Sequence, residues 1–252
     1  MKKNLIWAAC FAALAFTSCH KDPTPTPTPE PQTITRLVSE EHIVNTGMTE
    51  MKLYTLYSWD DETLTRLVDS IDSPILNSVY HERMVYENGN LVKAEEESGK
   101  WQYCFTYDAN LVKKFYNIKE NDTLVWGEVT AYTTEGNVAE FMAYDNYKTA
   151  KWTLTWENGD AVKVVEEILE PADLAGTTVI NYTYDANPSV YTGTPMAYYL
   201  VDGDGIRLAQ RQSKHNRIED GVSYQYNEDG YMISAESETE KATYEYIKHT
   251  IK

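Results

Sequence analysis

Seven times along this chain an aromatic residue precedes a short polar turn and then an alternating aliphatic stretch. No other feature constrains the fold as strongly. The anchors are Trp59, Tyr86, Tyr107, Tyr132, Trp156, Tyr184 and Tyr226, spaced 27, 21, 25, 24, 28 and 42 residues apart. A period of 21–28 residues matches two strands of about seven to ten residues with a turn at each end. Asn88-Gly89 and Asn158-Gly159 are strong hairpin dipeptides, because both central positions of such a turn require φ > 0.

The strands before these turns alternate cleanly. Trp101, Tyr103, Phe105 and Tyr107 share one face and Gln102, Cys104 and Thr106 the other. Trp152-Leu154-Trp156, Ile180-Tyr182-Tyr184, Val222-Tyr224-Tyr226 and Ala242-Tyr244-Tyr246 repeat the arrangement, so one face of the sheet is an aromatic wall. The pattern predicts an all-β fold, a soluble antiparallel meander of roughly 12–14 strands, which is more than a strongly twisted open sheet holds without curling. An open or half barrel follows. The 42-residue gap contains Pro188, Gly193, Pro195 and Asp202-Gly203-Asp204-Gly205, an irregular insertion of the kind that covers or lines a site. Helix signals are nearly absent.

The first 18 residues carry Lys2 and Lys3, an apolar stretch from Leu5 to Phe16 and a small-residue exit at Thr17-Ser18, the pattern of a signal peptide. Cys19 follows where cleavage would fall, and the segment resembles a bacterial lipobox, which implies acylation of Cys19. Residues 19–33 form a linker in which Pro23, Pro25, Pro27, Pro29 and Pro31 alternate with other residues. Such a run holds polyproline II and spans about 35 Å at ~3.1 Å per residue, a stand-off from the membrane. Residues 34–252 form the repeated-hairpin domain.

Composition narrows the partners. Without Lys2 and Lys3 the chain has 20 basic residues against 39 acidic ones, so nucleic acid is not an expected partner. Cys10 leaves with the signal and Cys19 takes lipid, which leaves Cys104 without a disulfide partner. No later stretch approaches 18 consecutive apolar residues, so no spanning helix is expected.

The repeats resemble a family of Bacteroides-type lipoproteins of unknown function with a porin-like fold. The lipoprotein start carries this likeness, together with Tyr86 to Lys93, Tyr184 to Pro188 and Tyr224 to Tyr231. The resemblance implies an all-β, barrel-like domain and no activity. A true membrane barrel is not expected, because second strands carry Lys93 and Glu95, or Lys163 and Glu167, where a spanning strand needs a lipid-facing apolar row.

The aromatic wall has two readings. Cross-strand aromatics pack well as core. They also make stacking platforms for sugar rings or other flat apolar ligands, and 20 tyrosines bring many hydroxyls that suit a semi-wet concavity. On that second reading the ligand-binding candidates are Trp101, Tyr103, Trp152, Trp156, Tyr182 and Tyr224.

Arg207, Arg211 and Arg217 form a basic island that would capture an anion, or else be answered by Glu95-Glu96-Glu97 and Glu166-Glu167. The Asp202–Gly205 segment lacks the spacing of a calcium loop and reads as a tight turn. No histidine set has metal spacing, and no nucleophile elbow or phosphate loop is present. No cofactor, metal or catalytic residue is therefore predicted.

The functional expectation is a non-enzymatic lipoprotein held on the outer membrane, facing the periplasm or the surface, that binds a glycan or another extended apolar ligand on its curved sheet. A structural or protein-binding module is the alternative, with a glycoside hydrolase behind it.

Overall fold

The computed structural model describes residues 32–45 and 49–251. The signal segment, Cys19 and most of the linker lie outside the described residues. Seventeen strands occur among the described residues, above the expected 12–14, and two of them flank the insertion and pair as a ribbon of their own. They are β1 (Gln32–Asn45), β2 (Glu50–Asp60), β3 (Thr63–Ser73), β4 (Leu76–Glu87), β5 (Asn90–Glu96), β6 (Trp101–Asp108), β7 (Leu111–Lys119), β8 (Asp122–Tyr132) and β9 (Val138–Asp145). Then come β10 (Thr149–Glu157), β11 (Asp160–Glu170), β12 (Gly176–Asn181), β13 (Thr183–Pro188), β14 (His215–Ile218), β15 (Ser223–Tyr226), β16 (Met232–Glu236) and β17 (Glu240–Ile251).

Fifteen of them form one antiparallel sheet in the order β12 to β1 and then β17, β16, β15. The sheet does not close into a barrel. β13 and β14 pair separately. Asn88 and Gly89 have φ of 51° and 82°, and Asn158 and Gly159 53° and 89°, as their turn chemistry requires.

The repeat has a mechanical purpose that its spacing alone does not disclose. Trp59, Tyr86, Tyr107, Tyr132, Trp156 and Tyr226 each sit at a shift of strand register. A bulge of this kind adds local twist and bends the strand. The Tyr226 hydroxyl donates to the Asp185 carboxylate, and the other five reach the previous hairpin: Trp59 Nε1 donates to Leu37 O at 2.7 Å, the Tyr86 hydroxyl to Leu64 O at 2.8 Å and the Tyr107 hydroxyl to Leu91 O at 2.7 Å. Tyr132 reaches Val112 O, Trp156 Nε1 reaches Val138 O at 2.7 Å, Tyr184 reaches Ala161 O at 2.9 Å and Tyr246 reaches Met232 O at 2.6 Å.

Apart from Leu37, which opposes Tyr246 on β17, every accepting carbonyl belongs to a residue paired with the preceding aromatic: Leu64 opposes Trp59, Leu91 opposes Tyr86 and Val112 opposes Tyr107. The anchors thus form one continuous chain of hydrogen bonds across the sheet. These hydroxyls need no wet concavity, because neighbouring backbone satisfies them.

The 188–214 insertion fills the trough of the curled sheet and is not wholly irregular. Met196–Leu200 is a 3-10 helix and α1 spans Gly205–Gln212, the little helix found among the described residues. The Asp202–Gly205 segment makes a turn at Asp202 and then a cap: the Asp204 carboxylate accepts from the Ile206 N–H at 2.8 Å. α1 packs on β10 and β11, and the 3-10 helix on β5 and β7. Leu200, Leu208 and Ala209 are buried with Phe115, Phe141 and Val164 from the sheet. A side chain at Gly205 would meet Trp152 at 2.5 Å, so α1 packs directly on that indole.

Candidate functional site

The insertion is fastened to the sheet on three sides, and between two of the fastenings the trough stays open. On the β10–β11 side, the Ser213 hydroxyl accepts from the Ala161 N–H at 3.0 Å and the Asp160 carboxylate accepts from the His215 N–H at 2.9 Å. On the β1 side, Glu40 is 3% exposed and collects the Tyr57 hydroxyl at 2.6 Å, the Tyr191 hydroxyl at 3.0 Å and Arg211 Nη1 at 3.2 Å. The Arg211 guanidinium lies 3.6 Å from the Tyr191 ring centre. Burial by itself raises the Glu40 pKa, but Arg211, His42 and Tyr57 outweigh it and hold the carboxyl well below the usual range. On the third side, the Tyr198 hydroxyl donates to Glu82 on β4 at 2.7 Å.

Between the Glu40 and Glu82 fastenings lies a cavity of about 560 Å³, floored by β1–β6 and roofed by residues 198–211. Tyr80, Trp101, Tyr103 and Tyr198 supply aromatic wall, and Asp69, Glu82, Glu96 and Asp202 supply carboxylates. Tyr103 and Tyr198 meet edge to face with centroids 5.8 Å apart, and Lys119 Nζ stands 4.8 Å from the Trp101 ring centre. Burial pushes the Glu82 carboxyl up to about 7; the Tyr198 hydrogen bond opposes that, and the charges of Asp69, Asp202 and Glu96 reinforce it. Burial likewise raises Asp69. A second hollow of about 340 Å³, lined by Asp145, Lys148, Trp152 and Glu166, shares Asp202 with the first.

Of the six aromatic candidates, Trp101 and Tyr103 line the main cavity. Trp152 borders the second hollow but is 3% exposed and stacks on Phe141 at 6.2 Å. Trp156 belongs to the hydrogen-bonded chain through Val138 O. Tyr182 packs under the Arg217 guanidinium at 5.0 Å, and the Tyr224 hydroxyl accepts from the Glu219 N–H at 2.8 Å. The six therefore do not converge on one groove.

The basic island is answered, though not by the Glu-rich strands expected to do so. Arg207 pairs with Asp202, Arg211 with Glu40 and Arg217 with Glu219, partners supplied by the insertion itself, by β1 and by the segment just past β14. Each guanidinium is thus matched before any anion arrives. Cys104 is half-buried, and burial pushes its thiol up, away from nucleophilic use.

Sequence reasoning missed the carboxylates. The signal existed for two of them: Glu82 alternates with Tyr80, Met84 and Tyr86, and Asp69 with Leu67 and Ile71, which places both on the inward face. Glu40 gives no such signal, because a register shift between Leu37 and Ser39 changes the parity of β1.

No protein-family model matches the chain, and no curated protein does. Among solved structures, a porin-like protein from Bacteroides uniformis superposes with a TM-score of 0.54 at 10% identity, covering 84% of this chain and 96% of that one. At that identity the likeness is one of fold, and the fold of this chain is porin-like.

Proposed function

We propose that this protein is a non-enzymatic envelope lipoprotein, anchored through Cys19 at the outer membrane, whose trough binds a glycan. The observation that carries the reading is the open cavity of about 560 Å³ in which Trp101 and Tyr103 stand beside carboxylates. Sugars present an apolar ring face for stacking and a rim of hydroxyls that donate to carboxylate oxygens, so they use both features at once. Roofing by the insertion leaves one side accessible. Nucleic acid finds no counterpart in so acidic a chain.

A glycan array probed with the purified protein tests the reading. Binding to a defined subset of glycans that disappears in Trp101→Ala, with circular dichroism unchanged, is the expected result. Absence of binding to every glycan on the array would overturn it. A second reading, docking of another protein, draws on β12, whose outer edge has no partner strand among the described residues.

A further inference from the structure

The charges around the cavity do not balance, and the imbalance says what kind of sugar fits. Five carboxylates line it: Glu40, Asp69, Glu82, Glu96 and Asp202. Glu40 is matched by Arg211 and Asp202 by Arg207. Asp69, Glu82 and Glu96 form no ion pair among the described residues. Glu82 is 8% exposed and accepts a hydrogen bond from the Tyr198 hydroxyl through Oε2. A carboxylate that deeply set with no counter-charge is costly to the folded chain in its charged form, and a ligand cation would offset that cost.

Aromatic rings surround the same three acids. Tyr80, Tyr103 and Tyr198 line the same cavity, and the face of an aromatic ring attracts a cation by roughly 0.5–2 kcal/mol depending on desolvation. Unmatched carboxylates with aromatic walls favour a ligand cation and repel an anion. A neutral hydroxylated ring would use the walls and leave the charge unanswered.

We propose that the cavity selects a sugar bearing a free ammonium group, an amino sugar unit whose nitrogen sits against Glu82 and Asp69 while its ring packs on Trp101 and Tyr103. The inference rests on the glycan reading above and names its ligand class. It also explains why this corner of the protein keeps carboxylates where apolar side chains would pack more stably. No bond is made or broken.

The test compares two probes of equal length, the glucosamine tetramer and the N-acetylglucosamine tetramer, by calorimetric titration of the full-length protein at neutral pH. The tetramer with free amines should bind at least 10-fold tighter. Glu82→Gln should erase that preference, and so should Asp69→Asn, a second variant at a less buried position that guards against a folding defect. Equal binding of the two tetramers, or tighter binding of the acetylated one, would overturn the amino-sugar inference and leave the glycan reading standing. A preference that survives in both variants also overturns it. If neither tetramer binds and the glycan array is blank as well, both conclusions fall together.

Discussion

Arg211 on α1 reaches across the trough to Glu40 on β1, 171 residues earlier, with Nη1 at 3.2 Å from Oε1. This contact ties the insertion to the strand that also receives the C-terminal β17.

Arg211→Met removes one half of a buried pair and leaves Glu40 charged among the hydroxyls of Tyr57 and Tyr191. The expected loss is about 3–5 kcal/mol in urea unfolding, the usual cost of an uncompensated buried charge. Glu40→Gln with Arg211→Met should recover part of it. The Glu40 carboxyl is held below its unfolded value of 4.5, so its stability is present above that pH and is lost as pH falls through and below it. Glu40→Gln should therefore flatten the acid limb of the stability curve.

Glu82 behaves in the opposite sense. Its carboxyl is pushed up to about 7 from 4.5, so the unfolded chain loses the proton first and the folded state is penalised increasingly between those values. Glu82→Gln keeps an acceptor for Tyr198. It should leave stability unchanged near pH 4.5 and raise it by about 3 kcal/mol above pH 7, at 1.36 kcal/mol for each unit of displacement. Unfolding free energies across that range check it, and a variant no more stable at pH 8 than the wild type would contradict it.

Removal of one anchor hydroxyl should cost little in hydrogen-bond energy and act locally. Tyr86→Phe deprives the Leu64 carbonyl of its donor and should cost about 1 kcal/mol. Tyr132→Phe, which acts on Val112, should add to it almost independently because the two bonds share no partner. Thermal unfolding of the single and double variants measures both effects.

Gly205→Ala tests the seat of α1. The added methyl would meet the Trp152 ring at 2.5 Å, against a side chain already stacked on Phe141. Overpacking of this kind costs about 1–3 kcal/mol. Indole fluorescence should report a displaced Trp152 in the folded variant.

On the proposed anchoring, Cys19→Ala should release the protein from the membrane fraction, because acyl chains at about 0.8 kcal/mol per buried methylene would provide nearly all the membrane affinity of the mature chain. Fractionation of cells expressing the variant is the measurement.

The hairpin period, the Asn-Gly turns and the inward rows such as Trp101, Tyr103, Phe105 and Tyr107 were legible in the sequence. Turn chemistry is set by φ within two residues, and strand faces are set by a period of two. The same alternation marked Glu82 and Asp69 as inward. Where each aromatic tip ends was not legible: Tyr86 finds Leu64 O only because bulges at successive anchors curl the sheet and bring the next hairpin's polar tip over the last one's backbone. Nor could spacing show that Arg211 would meet Glu40, since that partnership depends on the whole accumulated curvature and on a parity change in β1. Strand existence is a local property and was determined by the sequence alone. Which carboxylates are matched by a cation, and which face the cavity unmatched, is a property of the curled sheet and its insertion together, and only the tertiary structure decided it.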